Sequence, residues 1–124
     1  MFKNAVVWFE IYVQDIGRAK RFYESVFEMT MAKLGDTTLE MWGFPPTATD
    51  KTGASGSIVR MEGYPSGGNS TLVYFSCADC AVQGARVVAA GGRIQRDKMS
   101  IGPYGFIVLA IDTEGNLIGL HSMQ

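Results

Sequence analysis

The sequence has one histidine, two cysteines and no surplus of positive charge, and each shortage removes a class of function. Its 11 Lys and Arg stand against 12 Asp and Glu, for a formal net charge of −1. Nucleic acids and anionic membrane surfaces select basic patches, so neither is expected as a partner. The longest basic cluster, Arg18-Ala19-Lys20-Arg21, is short and reads as the solvated face of a helix. No run approaches the roughly 18 apolar residues of a membrane span. The apolar start, residues 5–9, is stopped by Glu10 and lacks a small-residue cleavage site, so a cytoplasmic location is expected. Two cysteines without a secretion signal fit a reducing compartment. A zinc site built on Cys77 and Cys80 needs two further ligands, and only His121 remains to supply one. No Gly-rich phosphate fingerprint and no Ser/His/Asp arrangement stands out.

What is present is a pattern used twice. The 124 residues suffice for one domain, residues 1–124, with modules at about 1–63 and 70–124. Residues 5–13 read as a strand, and Asp15 follows as a helix cap. Ile16, Ala19, Tyr23, Val26 and Phe27 then recur at helical spacing. Residues 71–77 read as a second strand, Asp79 as the next cap, and Cys80, Gln83, Gly84, Val87 and Val88 as a helix running to Gly91-Gly92. Helices are thus predicted near 16–28 and 80–90. Shorter strand-like runs follow each: 30–33, 38–42 and 57–61, then 93–95, 106–111 and 117–121. Each half reads β-α-β-β-β, an α+β class. Residues 63–69 form a linker, and the Pro/Thr/Gly/Ala-rich stretch 45–56 has the length of a lid.

Side chains alternate along a strand, so parity assigns faces. Val7, Phe9, Ile11 and Val13 form a wholly apolar face suited to carry a helix, as do Thr71, Val73, Phe75 and Cys77. Trp8, Glu10 and Tyr12 share the other face, which is mixed, and Tyr74, Gly119 and His121 belong to its counterpart. A sheet with helices on one side only can curve its other side around a ligand cavity.

The opening, from Val6-Val7-Trp8 through Arg18-Ala19-Lys20-Arg21-Phe22-Tyr23-Glu24, resembles that of vicinal oxygen chelate proteins. So does the close, Tyr104-Gly105-Phe106 and then Asp112-Thr113-Glu114-Gly115-Asn116-Leu117-Ile118-Gly119-Leu120-His121. This superfamily takes in glyoxalase I, extradiol dioxygenases, fosfomycin-resistance enzymes and bleomycin-binding proteins. The resemblance implies two βαβββ modules forming an open, cup-shaped mixed sheet with helices outside. It also implies a homodimer, because single domains of this type commonly pair. The metal-ligand positions that it implies fall on Trp8, near Ser57, on Leu72 and on Gly119, none of them a His, Glu or Asp.

The expected function is therefore that of a small-molecule-binding protein or lyase-like enzyme of the glyoxalase/bleomycin resistance/dioxygenase type. It would hold an organic ligand in the cup without metal or other cofactor. The alternatives are a sequestration protein for a drug or toxin, and a glyoxalase- or dioxygenase-like metalloenzyme with displaced ligands. Glu10, expected to be buried in its strand, is a candidate base; the structural alternative pairs it with Arg60, Arg93 or Lys33. His121 is a candidate acid/base or anchoring group, against the alternative of a partly exposed C-terminal histidine. Trp8, Tyr12, Trp42, Tyr74 and Tyr104, with Gly119, are candidates to line a pocket, against the alternative that the aromatics fill the core. Cys77-Ala78-Asp79-Cys80 has the form of a redox dithiol, but Asp79 opposes thiolate formation, and a structural role fits the two cysteines better.

Overall fold

The computed structural model describes residues 5–35, 39–45 and 53–124. The first helix, α1 (Ile16–Phe27), begins because the Asp15 carboxylate accepts the Arg18 amide; the second, α2 (Cys80–Ala89), begins because Asp79 accepts that of Ala81. Each such cap is worth about 1 kcal/mol. The buried stripe of α1 is Ala19, Phe22, Tyr23 and Val26, so Phe22 joins the expected face while Ile16 and Phe27 lie at its margin. On α2 only Cys80, Gly84 and Val87 are buried; Val88, expected inward, is 58% exposed. The helix stops at Gly91, whose φ of 97° is a conformation that favours glycine.

Eight strands flank these helices. In the first half they are β1 (Trp8–Tyr12), β2 (Ala32–Leu34), β3 (Glu40–Gly43) and β4 (Ser55–Arg60). In the second they are β5 (Tyr74–Ser76), β6 (Arg93–Ser100), β7 (Phe106–Ile111) and β8 (Leu117–Ser122). They form two four-stranded sheets of the same order, β1-β4-β3-β2 and β5-β8-β7-β6. In each the first strand runs parallel to the fourth and the other pairs are antiparallel. The α+β architecture of two open βαβββ modules is as predicted.

Several strand boundaries differ from the expected ones. β1 starts at Trp8, and Val7, placed by parity on the helix face, is 80% exposed because it precedes the strand. β6 runs to Ser100 rather than residue 95, as backbone pairing with β7 carries polar residues across two register shifts. It is an edge strand, where charged side chains guard an open ladder. Most of the 45–56 stretch, read as a candidate lid, lies outside the described residues, as does residue 38 of the third strand-like run.

One core serves both halves. Ile11, Val13, Phe22, Tyr23, Ile58, Val87, Val108 and Leu120 belong to a single buried cluster between helices and sheets. Val59 is buried too, but outside that cluster, as its position on the opposite face of β4 requires. The Tyr23 hydroxyl donates to Asp112 Oδ2 at 2.6 Å. Glu114, in the same turn, accepts from Arg18 Nε at 2.6 Å, Arg18 Nη2 at 2.9 Å, the Gln14 and Asp15 amides and the Thr113 hydroxyl. The turn before β8 is thereby bolted to the start of α1.

Burial pushes the Glu114 carboxyl up. Hydrogen bonds from Arg18, the Asp15 and Gln14 amides and Thr113 outweigh that cost and hold it at about 2, against an ordinary 4.5. A depressed carboxyl stabilises the fold above the unfolded-chain value and stops doing so as pH falls through the folded one; here the difference is about 3 kcal/mol. Denaturant melts between pH 5 and pH 2 should therefore show stability falling steadily. Glu114→Gln should be less stable by a few kcal/mol at pH 7, with a flatter slope over that window. A variant slope equal to the wild-type slope would assign the acid sensitivity elsewhere.

Candidate functional site

β1 and β5 are the edge strands at which the two sheets face one another, and a cavity of about 360 Å³ lies along that seam. Glu10 and Tyr12 reach it from β1, Thr71 and Val73 from the approach to β5, Leu117 from β8 and Pro65 from the linker. Its walls mix apolar side chains with Asn69, Thr71 and Asn116, and among the described residues Glu10 is the one acidic or basic side chain lining it.

Alternation puts Trp8, Glu10 and Tyr12 on one face of β1, and they bond to one another there. Trp8 Nε1 donates to Glu10 Oε2 at 3.3 Å, and the Tyr12 hydroxyl donates to Glu10 Oε1 at 2.8 Å. That bond to the carboxylate, with burial second, raises the Tyr12 phenol's affinity for its proton. Glu10 is exposed, contrary to the burial expected from its apolar neighbours, because this face of β1 opens on the cavity. Arg60 pairs with Glu40 at 3.1 Å, and the ion pairs among the described residues do not include Glu10. Tyr12 stacks on Tyr64 with ring centroids 5.3 Å apart.

The other candidates lie apart from this group. His121 on β8 is half-buried, with Nε2 2.6 Å from the Tyr104 carbonyl oxygen. Tyr104 is 72% exposed. Neither residue lines the cavity. Gly119 lies beneath the Tyr74 ring, which occupies the space a Cβ at residue 119 would need. Trp42 requires a correction. Its register partner is Ile58 of the core, and Lys20 of α1 sits 4.8 Å over its ring, so it lies on the helix side of β3 and away from the cup. Alternation along β1 could not reveal this, because the parity of β3 depends on where its pairing with β4 begins.

Asn69, Thr71 and Asn116, none of them a candidate from the sequence, line the cavity, and Tyr64 stacks beside it on Tyr12. Three of these stand in or next to the stretch read as a linker, which crosses the seam on its way from β4 to β5. Asn116 belongs to the turn, where its Nδ2 donates to the Tyr12 carbonyl at 2.8 Å and its Oδ1 accepts the Gly67 amide at 2.7 Å. The usable signal was topological: a chain joining two modules must run past the edges that face each other.

The metal positions implied by the family resemblance offer an exposed indole at Trp8, half-buried Leu72, Gly119 under a ring, and Ser57. The Ser57 hydroxyl is fully buried and has no hydrogen-bond partner among the described residues. Among the described residues no group of three or more His, Cys, Asp or Glu is arranged to hold a metal. A lone hydroxyl is not a donor set for zinc or another divalent ion, so these residues do not fit a metal. The cysteines are free; burial pushes the Cys77 thiol up to about 11, away from the thiolate that redox chemistry needs.

The family described as bleomycin resistance protein-like N-terminal matches residues 5–34, which hold β1, α1 and β2. Solved structures match along nearly the whole chain. The antibiotic-binding protein TnmS3 from Streptomyces sp. CB03234 is 24% identical, over 98% of each chain, with a TM-score of 0.67. The fold is the vicinal oxygen chelate fold. A glyoxalase-related enzyme from Fulvimarina pelagi shares it at 16% identity, over 97% of this chain and 88% of that one, with a TM-score of 0.70. A glyoxalase/bleomycin resistance protein/dioxygenase family enzyme from Burkholderia phytofirmans PsJN does so at 16% identity, over 94% and 97%, with a TM-score of 0.73. No curated protein matches the sequence. Within the vicinal oxygen chelate fold these relatives span binding and catalysis, so the site's own chemistry has to distinguish them.

Elemental analysis of gently purified protein should find well under one equivalent of zinc, nickel, manganese or iron per chain. Chelator treatment should leave the melting temperature unchanged. Near-stoichiometric metal whose removal lowers stability would place donors outside the four positions considered.

Proposed function

We propose that the protein binds a small organic ligand in the cavity between its two sheets, without a metal, and that binding rather than turnover is its task. The observation that carries this reading is the cavity itself: apolar side chains and a few neutral polar ones around one carboxylate held by Trp8 and Tyr12. Small-molecule sites typically combine apolar walls with a few fixed polar groups. Binding alone, the role carried in the description of the Streptomyces protein as antibiotic-binding, needs nothing more. Acid–base catalysis by Glu10 and His121 needs both groups at one ligand, and the His121 ring is engaged by Tyr104 away from the cavity lining. No helix among the described residues is long and apolar enough to cross a membrane.

A fragment screen by amide NMR should move the signals of Thr71, Val73 and Leu117. Thr71→Trp, which projects an indole into the cavity, should abolish those shifts while keeping the fold. Unchanged binding in that variant would move the site elsewhere, and turnover that disappears in Glu10→Gln while binding persists would establish catalysis. The protein is also proposed to be a homodimer, since Val6, Val7, Tyr104 and Met123 leave large apolar side chains exposed. Light scattering should give twice the 13.5 kDa chain mass, and a monomer at all concentrations would refute it.

A further inference from the structure

We infer that the ligand is an organic cation with an apolar body, its positive charge set against Glu10 and the aromatic side chains around it. The inference rests on the seam cavity being the ligand site. The first argument is the charge balance. Among the described residues Glu10 is the one acidic or basic side chain lining the cavity, and the ion pairs are Arg18–Glu114, Lys20–Glu24, Arg60–Glu40, Arg86–Glu28 and Lys98–Asp79. No described cation balances its charge.

The second argument is the nature of its partners. Trp8 and Tyr12 each give one neutral hydrogen bond, which fixes the carboxylate's direction and leaves its charge in place. Each carboxylate oxygen keeps capacity for a further donor.

The third is what surrounds it. Trp8, 42% exposed, bonds to Glu10, and Tyr64, 51% exposed, stacks on Tyr12; both stand beside the cavity lining, not in it. Aromatic faces attract cations through their quadrupole. An oriented carboxylate beside open aromatic rings and apolar walls favours a cation with a hydrophobic body. The same field disfavours an anion of equal size, and a neutral molecule gains only the apolar contact.

Three probes of similar size separate these cases: benzyltrimethylammonium, which carries a fixed positive charge and no N–H, neutral N-benzylacetamide, and phenylacetate. Amide NMR titrations of the full chain should give the cation about tenfold tighter binding than the neutral probe, the order expected when a partly desolvated cation–π contact adds to a charge pair. Phenylacetate should bind weakest. Glu10→Gln should remove the cation's advantage, bringing the cationic and neutral probes within about twofold of each other. Its melting temperature checks that the fold persists. Equal affinity of the neutral and cationic probes, or a cation affinity that Glu10→Gln leaves unchanged, overturns this inference and spares the cavity as a binding site. If no probe shifts the Thr71, Val73 and Leu117 amides, both the cation inference and the proposed binding site fall.

Discussion

The two modules are held in one arrangement by the carboxylates of a single turn. Asp112 and Glu114 are 4% and 7% exposed, and both reach out of the second half into the first. Asp112 takes the Tyr23 hydroxyl together with the Glu114 and Asn116 amides, while Glu114 takes Arg18 and the two amides that precede α1. Apolar burial between the halves is large but non-directional. Hydrogen bonds to buried charge are directional, and a buried carboxylate deprived of its donors is costly, as Glu114 would be without the half-exposed Arg18 and the two amides. The network thus supplies what the shared core does not, a unique register between the modules.

The same turn reaches the candidate site. Asn116 takes its position from Asp112 and passes it on through the Tyr12 carbonyl and the Gly67 amide. Tyr12 is at once the end of β1, the base of the Tyr64 stack and the donor that orients Glu10. A chain of short contacts therefore runs from the buried carboxylates to the exposed one. The two groups have opposite needs. Glu114 is saturated by donors and serves the fold, whereas Glu10 has two neutral donors and stays open to the cavity.

Much of the fold could be read in the sequence because its signals are local. Asp15 and Asp79 cap helices through amides two or three residues away, and alternation along β1 put Trp8, Glu10 and Tyr12 together before any tertiary contact was known. What failed depends on pairing between strands. Trp42 lies on the helix side because Met41 and Gly43 face Val59 and Ser57 across the ladder, and no feature of residues 38–42 alone fixes that register. Glu10 is exposed because its sheet face meets a cavity and not a second layer, which depends on how the modules sit together. The two motifs that carry the family resemblance, Arg18 to Glu24 and Asp112 to Asn116, lie 88 or more residues apart along the chain. They meet through Tyr23–Asp112 and Arg18–Glu114, and this contact is a physical reason for finding them in one sequence.

The residues at the implied metal positions form more than a set of lost donors. At residue 119 the missing side chain is what admits the Tyr74 ring, and a Cβ there would enter that ring. At residue 8 the indole N–H serves the Glu10 carboxylate. Leu72 adds apolar surface, and Ser57, paired in register with Glu10, is buried with no hydrogen-bond partner for its hydroxyl among the described residues. Restoring a carboxylate at residue 119 alone would first have to displace Tyr74. Restoring a histidine at residue 8 would remove one of the two groups that orient Glu10. The positions are coupled to different neighbours, Tyr74 in one sheet and Glu10 in the other, so no single substitution turns this surface into a metal site. Its present residues suit it to apolar and aromatic contact around one fixed negative charge.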